Sequence, residues 1–163
     1  MAVEPEDTIR GEKLIRCFAT VIVAGVMLAG CGTSQDGELT YSQTLWDAHT
    51  PFVGDNSRVA ALVNLAGPTP EGQYRLSLQT GKAPYGLTIE VLDADKPCRD
   101  LSVDRSQILL LGLIENLDRV TVTCGEETRT ATAAETTRAL GFDVKALGRD
   151  RSRLAAYVGE QAD

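Results

Sequence analysis

Residues 87–124 read LTIEVLDADKPCRDLSVDRSQILLLGLIENLDRVTVTC. Three patterns follow one another in this stretch. Leu87, Ile89 and Val91 alternate with Thr88 and Glu90, the period of a half-buried strand. After a polar loop, Ser102 and Asp104 supply helix-start signals, and residues 107–117 form a strongly apolar helix. Val120, Val122 and Cys124 then alternate with Thr121 and Thr123, giving a second strand. Upstream, Tyr74, Leu76 and Leu78 alternate with polar residues, and residues 81–86 join this strand to Leu87 as a hairpin. Downstream, residues 128–133 return through Gly125-Glu126-Glu127 as a second hairpin. Two hairpins separated by a helix predict an α+β domain: an antiparallel four-stranded sheet of two hairpins packed by helices on one face. How one hairpin pairs with the other does not follow from the residues.

The flanks read as helical. Tyr41, Leu45 and His49 fall at i, i+4 and i+8, which predicts a short helix over 42–49 ended by Pro51. Gly54-Asp55-Asn56-Ser57 breaks the chain. Gly54 is expected to supply a positive φ, and Asp55 or Asn56 to cap the next helix. That helix carries an apolar stripe of Val59, Leu62, Val63 and Ala66 and stops at Gly67-Pro68. Residues 134–140 and 149–159 predict two C-terminal helices, and Asn116 is expected to end the central one.

The N-terminus reads as an address. Arg10, Lys13 and Arg16 precede fourteen uncharged residues, Cys17 to Gly30. A spanning helix needs about 20 apolar residues, whereas this length suits a signal-peptide core. It ends in Leu28-Ala29-Gly30-Cys31, which matches the bacterial lipobox. The expected chemistry is thioether attachment of diacylglycerol to the Cys31 sulfur before cleavage, because a thiolate is the nucleophile that takes the lipid. The expected organisation is a leader over 1–30, a lipidated cysteine and tether over 31–40, and one extracytoplasmic domain over 41–163. Glu4, Glu6, Asp7 and Glu12 are unusual in a leader and leave the true start open.

Composition bounds the rest. The 163 residues carry 23 acidic and 16 basic side chains, for a net charge of −7. Acidity argues against nucleic-acid binding, which needs Lys and Arg to displace counterions. The mature chain from Cys31 has 133 residues and net charge −6, long enough to bury about two-thirds of its unfolded surface. Cys98 and Cys124 are the cysteines left in that domain. Export would place them where disulfides form, and a bridge closing about 25 residues is worth about 3 kcal/mol. Two separate buried thiols are the alternative reading.

Catalytic patterns are weak. His49 is the lone histidine, Asp47 is near it, and neither a GxSxG elbow nor an SxxK run accompanies them. Asp93, Asp95 and Asp104 have calcium-loop spacing, but Pro97 and Cys98 occupy positions that such a loop reserves for a ligand and a glycine. No metal or cofactor is expected beyond the covalent diacylglycerol on Cys31. Candidate binding residues are Phe52, Gly54, Asp55, Asn56 and Ser57 in one turn, and Tyr85 in Pro84-Tyr85-Gly86. For each, a structural role competes: helix capping for the first group, a hairpin turn with a folded-back ring for Tyr85.

Leu45-Trp46, Pro51-Phe52-Val53-Gly54-Asp55-Asn56-Ser57, Pro84-Tyr85-Gly86-Leu87 and Asn116-Leu117-Asp118 occur in an order that resembles a bacterial extracytoplasmic family labelled domain of unknown function four-eight-two-five. The likeness runs from about Leu45 to Leu147. Its pattern is an aromatic-(Ile/Val)-Gly-Asp-Asn-Ser box, a Pro-Tyr-Gly-Leu hairpin and an Asn-Leu-Asp run at the end of the central helix. Members resemble short lipoproteins or domains behind a membrane anchor, some on BlaR-like metallopeptidase sensors. The resemblance implies no activity, so it carries over no catalytic residue, and Cys98 and Cys124 depart from its pattern. The resulting expectation is a lipid-anchored, non-catalytic binding or sensory module on the outer face of the cell membrane. The alternatives are an accessory or inhibitor of an envelope enzyme such as a membrane metallopeptidase, and a carboxylate-based hydrolase. Expected partners are the membrane, through the lipid, and an envelope protein.

Overall fold

The computed structural model of the chain describes residues 35–69, 73–92 and 97–160. Residues 1–30, read above as a leader, Cys31, and Asp93 and Asp95 lie outside the described residues.

Chain order is α1 (Gln35–Ala48), α2 (Asn56–Ala66), β1 (Tyr74–Gln79), β2 (Gly86–Val91), a 3-10 turn (Cys98–Asp100) and α3 (Val103–Leu113). It continues with β3 (Arg119–Cys124), β4 (Glu127–Thr132), α4 (Ala133–Leu140), α5 (Ala146–Arg149) and α6 (Arg151–Glu160). Helix α1 begins at Gln35, seven residues ahead of the expected start, so it takes in residues read as tether. Helix α2 buries Val59, Leu62, Val63 and Ala66, the expected stripe.

The four strands form one sheet in the order β1-β2-β3-β4. Both hairpins are antiparallel, with Tyr74 opposite Val91 and Cys124 opposite Glu127. The sheet is nevertheless mixed, because β2 and β3 run parallel with Leu87 opposite Val120 and Ile89 opposite Val122. This corrects the expectation of a purely antiparallel sheet. A helical crossover links β2 to β3, and such a connection carries the chain back to the end where it started, so the strands it joins run the same way. The turn of the second hairpin uses Gly125 at φ +60°, a left-handed conformation that favours glycine.

One sheet face is apolar. Leu87, Ile89 and Val91 of β2 and Val120, Val122 and Cys124 of β3 are buried on it. The opposite face carries Ser77, Thr88, Thr121 and Thr130 in one row, with hydroxyl pairs Thr121–Thr130 at 3.1 Å and Thr123–Thr128 at 3.3 Å. Helix α3 packs on the apolar face and is itself covered by α2 and α5. Eight of its eleven residues are buried. A helix buried over most of its circumference belongs in an interior, at about 1.5–3 kcal/mol per fully buried large side chain. Its buried Gln107 donates from Nε2 to the carbonyls of Val120 (3.2 Å) and Arg129 (3.0 Å), tying helix to sheet.

Helix α3 starts at the expected signal, with Ser102 as N-cap, but ends at Leu113, with Ile114 in extended geometry as its C-cap. Asn116 therefore does not end it. The reason is tertiary: Thr50 N–H donates to Leu113 O and Glu115 N–H to Thr50 O, both at 3.0 Å. The chain leaves the helix to pair with residue 50.

Candidate functional site

The turn at 52–57 is built as a helix entry. Asp55 caps α2, its Oδ1 accepting the Arg58 N–H at 3.2 Å, and its carbonyl accepts the first helical N–H from Val59 at 2.9 Å. Arg58 then reaches back, donating from Nη1 to the carbonyls of Asp47 (3.3 Å) and His49 (3.2 Å) at the end of α1. Gly54 does not take the positive φ expected of it; the positive-φ glycines among the described residues are Gly125 and Gly141. Phe52 (63% exposed), Gly54, Asn56 and Ser57 face solvent. Asp55→Ala is expected to cost about 1 kcal/mol, the usual value of a lost N-cap, read as a lower urea midpoint at unchanged slope.

The three motif boxes, far apart in the chain, meet in space. Asn116 Oδ1 accepts the Val53 N–H at 2.7 Å, joining the third box to the first. Asp118 Oδ2 accepts the Tyr85 N–H at 2.7 Å, joining the third to the second. The Tyr85 carbonyl in turn accepts from Asp118 N–H (3.0 Å) and Arg119 N–H (3.2 Å). Tyr85 is half-buried against the core, in a loop containing a cis Ala83–Pro84 bond. The segment 114–118 is thus a clasp: its backbone pairs with residues 50 and 51, and two of its side chains grip the loops on either side.

Lys145 completes the clasp, and the sequence reading missed it. Its Nζ donates to the carbonyls of Leu111 (2.6 Å), Ile114 (2.9 Å) and Leu117 (2.6 Å). Burial lowers its pKa from 10.5 to about 8, opposed by Glu115, Asp118 and Asp143. The available signal was its place between the buried apolar residues Val144 and Leu147. Beside it, Arg149 pairs with Glu115 and, at 3.1 Å, with Asp143.

One recess adjoins the clasp and a second opens near the first box. A cleft of about 230 Å³ is lined by His49, Pro51, Gly112, Glu115 and Gly148. His49 stacks near Trp46 with centroids 5.0 Å apart, and its Nδ1 hydrogen-bonds the Trp46 carbonyl. The glycines there serve packing, since a Cβ on Gly148 would lie 2.5 Å from Gly112 O. The larger recess, about 540 Å³, is a groove between α2 and β1 lined by Asn56, Val59, Ala60, Leu76, Leu78 and Thr80. It opens beside the first box.

Cys98 and Cys124 form a disulfide with Cα atoms 5.4 Å apart. The Cys98 N–H also donates to Glu127 Oε2 at 3.0 Å. Among the described residues, no group of three or more His, Cys, Asp or Glu side chains is placed to hold a metal ion, and no helix is long and apolar enough to cross a membrane.

These features define a disulfide-bonded α+β domain whose motif boxes converge on one clasp. Residues 45–137 match the family model described as Domain of unknown function (DUF4825), and the chain belongs to that family. No curated protein and no solved structure matches.

Proposed function

We propose that this chain is a non-catalytic binding module held on the outer face of a cell membrane by lipid on Cys31. The observation that carries the binding reading is the groove between α2 and β1. Leu76 and Leu78 are half-buried there, on the inner face of a strand that pairs on one side only among the described residues. Asn56 of the first box stands at its rim. An apolar floor with a polar rim is the usual make-up of a recognition groove. The lipobox at Leu28-Ala29-Gly30-Cys31 supports the anchor, since two acyl chains suffice for stable attachment. On this reading an envelope protein is the partner, and service as an accessory or inhibitor of a membrane enzyme is one form it would take.

Two measurements test the two halves separately. A photocrosslinker at Thr80 in intact cells is expected to give one discrete adduct that disappears when Ala60→Arg fills the groove. Adducts spread over bulk membrane proteins, or unchanged by Ala60→Arg, would sink the binding reading. Cys31→Ser is expected to accumulate unprocessed precursor, and normal processing of that variant would remove the anchor.

A further inference from the structure

Among the described residues the sheet has two edges, β1 and β4, and they are finished differently. On β4 the positions facing the helices are Glu127, Arg129 and Ala131, opposite Cys124, Val122 and Val120. Inward-pointing charges protect an edge against added strands. Arg129 is tied to Asp104 at 3.3 Å and to Glu127 at 3.7 Å, and Glu127 accepts the Cys98 N–H. On β1 the matching positions are Tyr74, Leu76 and Leu78, opposite Val91, Ile89 and Leu87. No charge stands among them. Ile89 and Leu87 are 0% and 1% exposed, whereas Leu76 and Leu78 in the same rows are only half-buried. The helices therefore cover the sheet as far as β2 and leave the inner side of β1 open to the groove along α2.

The main chain of β1 is open at the same residues. Leu92 N–H donates to Gln73 O at 2.9 Å, and these two stand opposite each other when the β1–β2 register is carried one step further. In an antiparallel ladder, hydrogen-bonded and non-hydrogen-bonded pairs alternate. Arg75, Ser77 and Gln79 therefore direct their N–H and C=O groups to β2, and Tyr74, Leu76 and Leu78 turn theirs away from it. Among the described residues no backbone group bonds Leu76 or Leu78 on that outer side. Each of these leucines thus offers the groove a donor, an acceptor and an apolar side chain together. The set repeats two residues on, about 6.6 Å along the strand. An extended chain matches that repeat, whereas a helix keeps its main-chain groups for itself.

We propose that the groove takes an extended segment of another protein as a fifth strand on β1, with its main chain paired to Leu76 and Leu78 and its alternate, apolar side chains laid between those leucines and Ala60 of α2. This rests on the groove reading above and specifies the ligand of that groove. The walls are close to neutral. Helix α2 and β1 carry Arg58 and Arg75 and no acidic residue, and Asp55 and Glu90 pair with these arginines from adjoining segments. Such walls suit a segment that sends apolar side chains inward. A second copy of this chain is the poorer occupant, since each copy carries net charge −7 and like charges repel.

Photocrosslinkers placed singly at Gln73 and at Thr80, in intact cells, read the conformation of the bound segment. Seven positions at about 3.3 Å each set these two about 23 Å apart. The two adducts are expected to fall on one partner segment, at sites about seven residues apart. Sites about fifteen residues apart, as a helix rising about 1.5 Å per residue gives, would overturn strand addition and leave the groove reading standing. Leu76→Pro tests the main chain. The Leu76 N–H faces away from β2, so the proline removes no bond of the β1–β2 ladder. It is expected to abolish the Thr80 adduct, whereas Leu76→Ala, which keeps the N–H, is expected to retain it at lower yield. An adduct that survives Leu76→Pro but is lost with Ala60→Arg would overturn the fifth strand and uphold the groove. The spacing is read with β1 unaltered, so it decides the matter even where Leu76→Pro does not fold. Adducts joining two copies of this chain would overturn the choice of another protein as occupant. No adduct from Thr80 at all would remove the groove reading and the fifth strand together.

Discussion

Lys145→Met is expected to destabilise the fold by about 2–3 kcal/mol, more than a surface lysine ever would. One ammonium serves three carbonyls, and the side chain that replaces it serves none. A buried carbonyl left unpaired costs about 1–3 kcal/mol. The sum falls below three full penalties for two reasons. Ile114 O keeps the Leu117 N–H at 3.1 Å, and removing the ammonium also removes the cost of burying its charge. The expected readout is a lower urea midpoint at unchanged slope. A companion measurement tests the charge. The folded pKa, about 8, lies below the unfolded 10.5, so between these values the unfolded chain holds more protons. Stability from this group therefore rises as pH climbs from 8 to 10.5 and is level below 8. The gap between wild type and Lys145→Met is expected to widen across that window. A gap that narrows there would show that the ammonium, not the neutral amine, is the form the clasp prefers.

Replacing both Cys98 and Cys124 by alanine is expected to cost about 3 kcal/mol, the order of loss that the chain-entropy account gives for a bridge closing a loop of this length. The two cysteines stand 26 positions apart in the chain, and the loop they close contains the whole of α3. Most of the loss falls on the unfolded state, which regains the freedom of that loop. Part falls on the native state, where the 3-10 turn loses its tie to the end of β3. The double variant is expected to melt earlier by calorimetry, and alkylation of the untreated protein is expected to add no label at either cysteine. Two labelled thiols would exclude the bridge. Because Cys98 is fully buried and Cys124 4% exposed, mild reductant is expected to act only as fast as the chain opens.

Much of the fold was legible because it is written in local periodicities. The alternation of Leu87, Ile89 and Val91 and of Val120, Val122 and Cys124 marks β2 and β3 directly. The stripe through Val59, Leu62, Val63 and Ala66 marks the buried side of α2. What was illegible was non-local. Nothing within either hairpin says that β2 lies beside β3, because that pairing is decided by the crossover and by which apolar faces α3 covers at once. The end of α3 was misplaced for the same reason. Residues 107–117 continue an apolar helical pattern, yet Thr50, more than sixty positions earlier, captures Leu113 O and Glu115 N–H. In the site, the motif boxes were visible as sequence, and Asp55 read correctly as a cap. Their mutual attachment through Asn116 and Asp118 was not, since a side chain accepting a distant backbone N–H leaves no periodic trace. Lys145 was invisible because a lysine is ordinarily a surface residue, and only its three carbonyl partners make it otherwise.

The packing of α1 against α6 has a consequence for how the chain reaches this state. A polypeptide delivered amino end first presents α1 early and α6 last. Helix α1 then has the shelf made by α2 but lacks its other wall until residues 151–160 have emerged. Its apolar residues, Leu45 among them, stay unshielded for nearly the whole time of synthesis. The hairpins and the crossover can assemble in that interval, since their contacts lie within residues 74–132. Closure of the two ends is the late step, and a chain cut short before residue 151 would display a sticky amino-terminal helix on an otherwise assembled sheet.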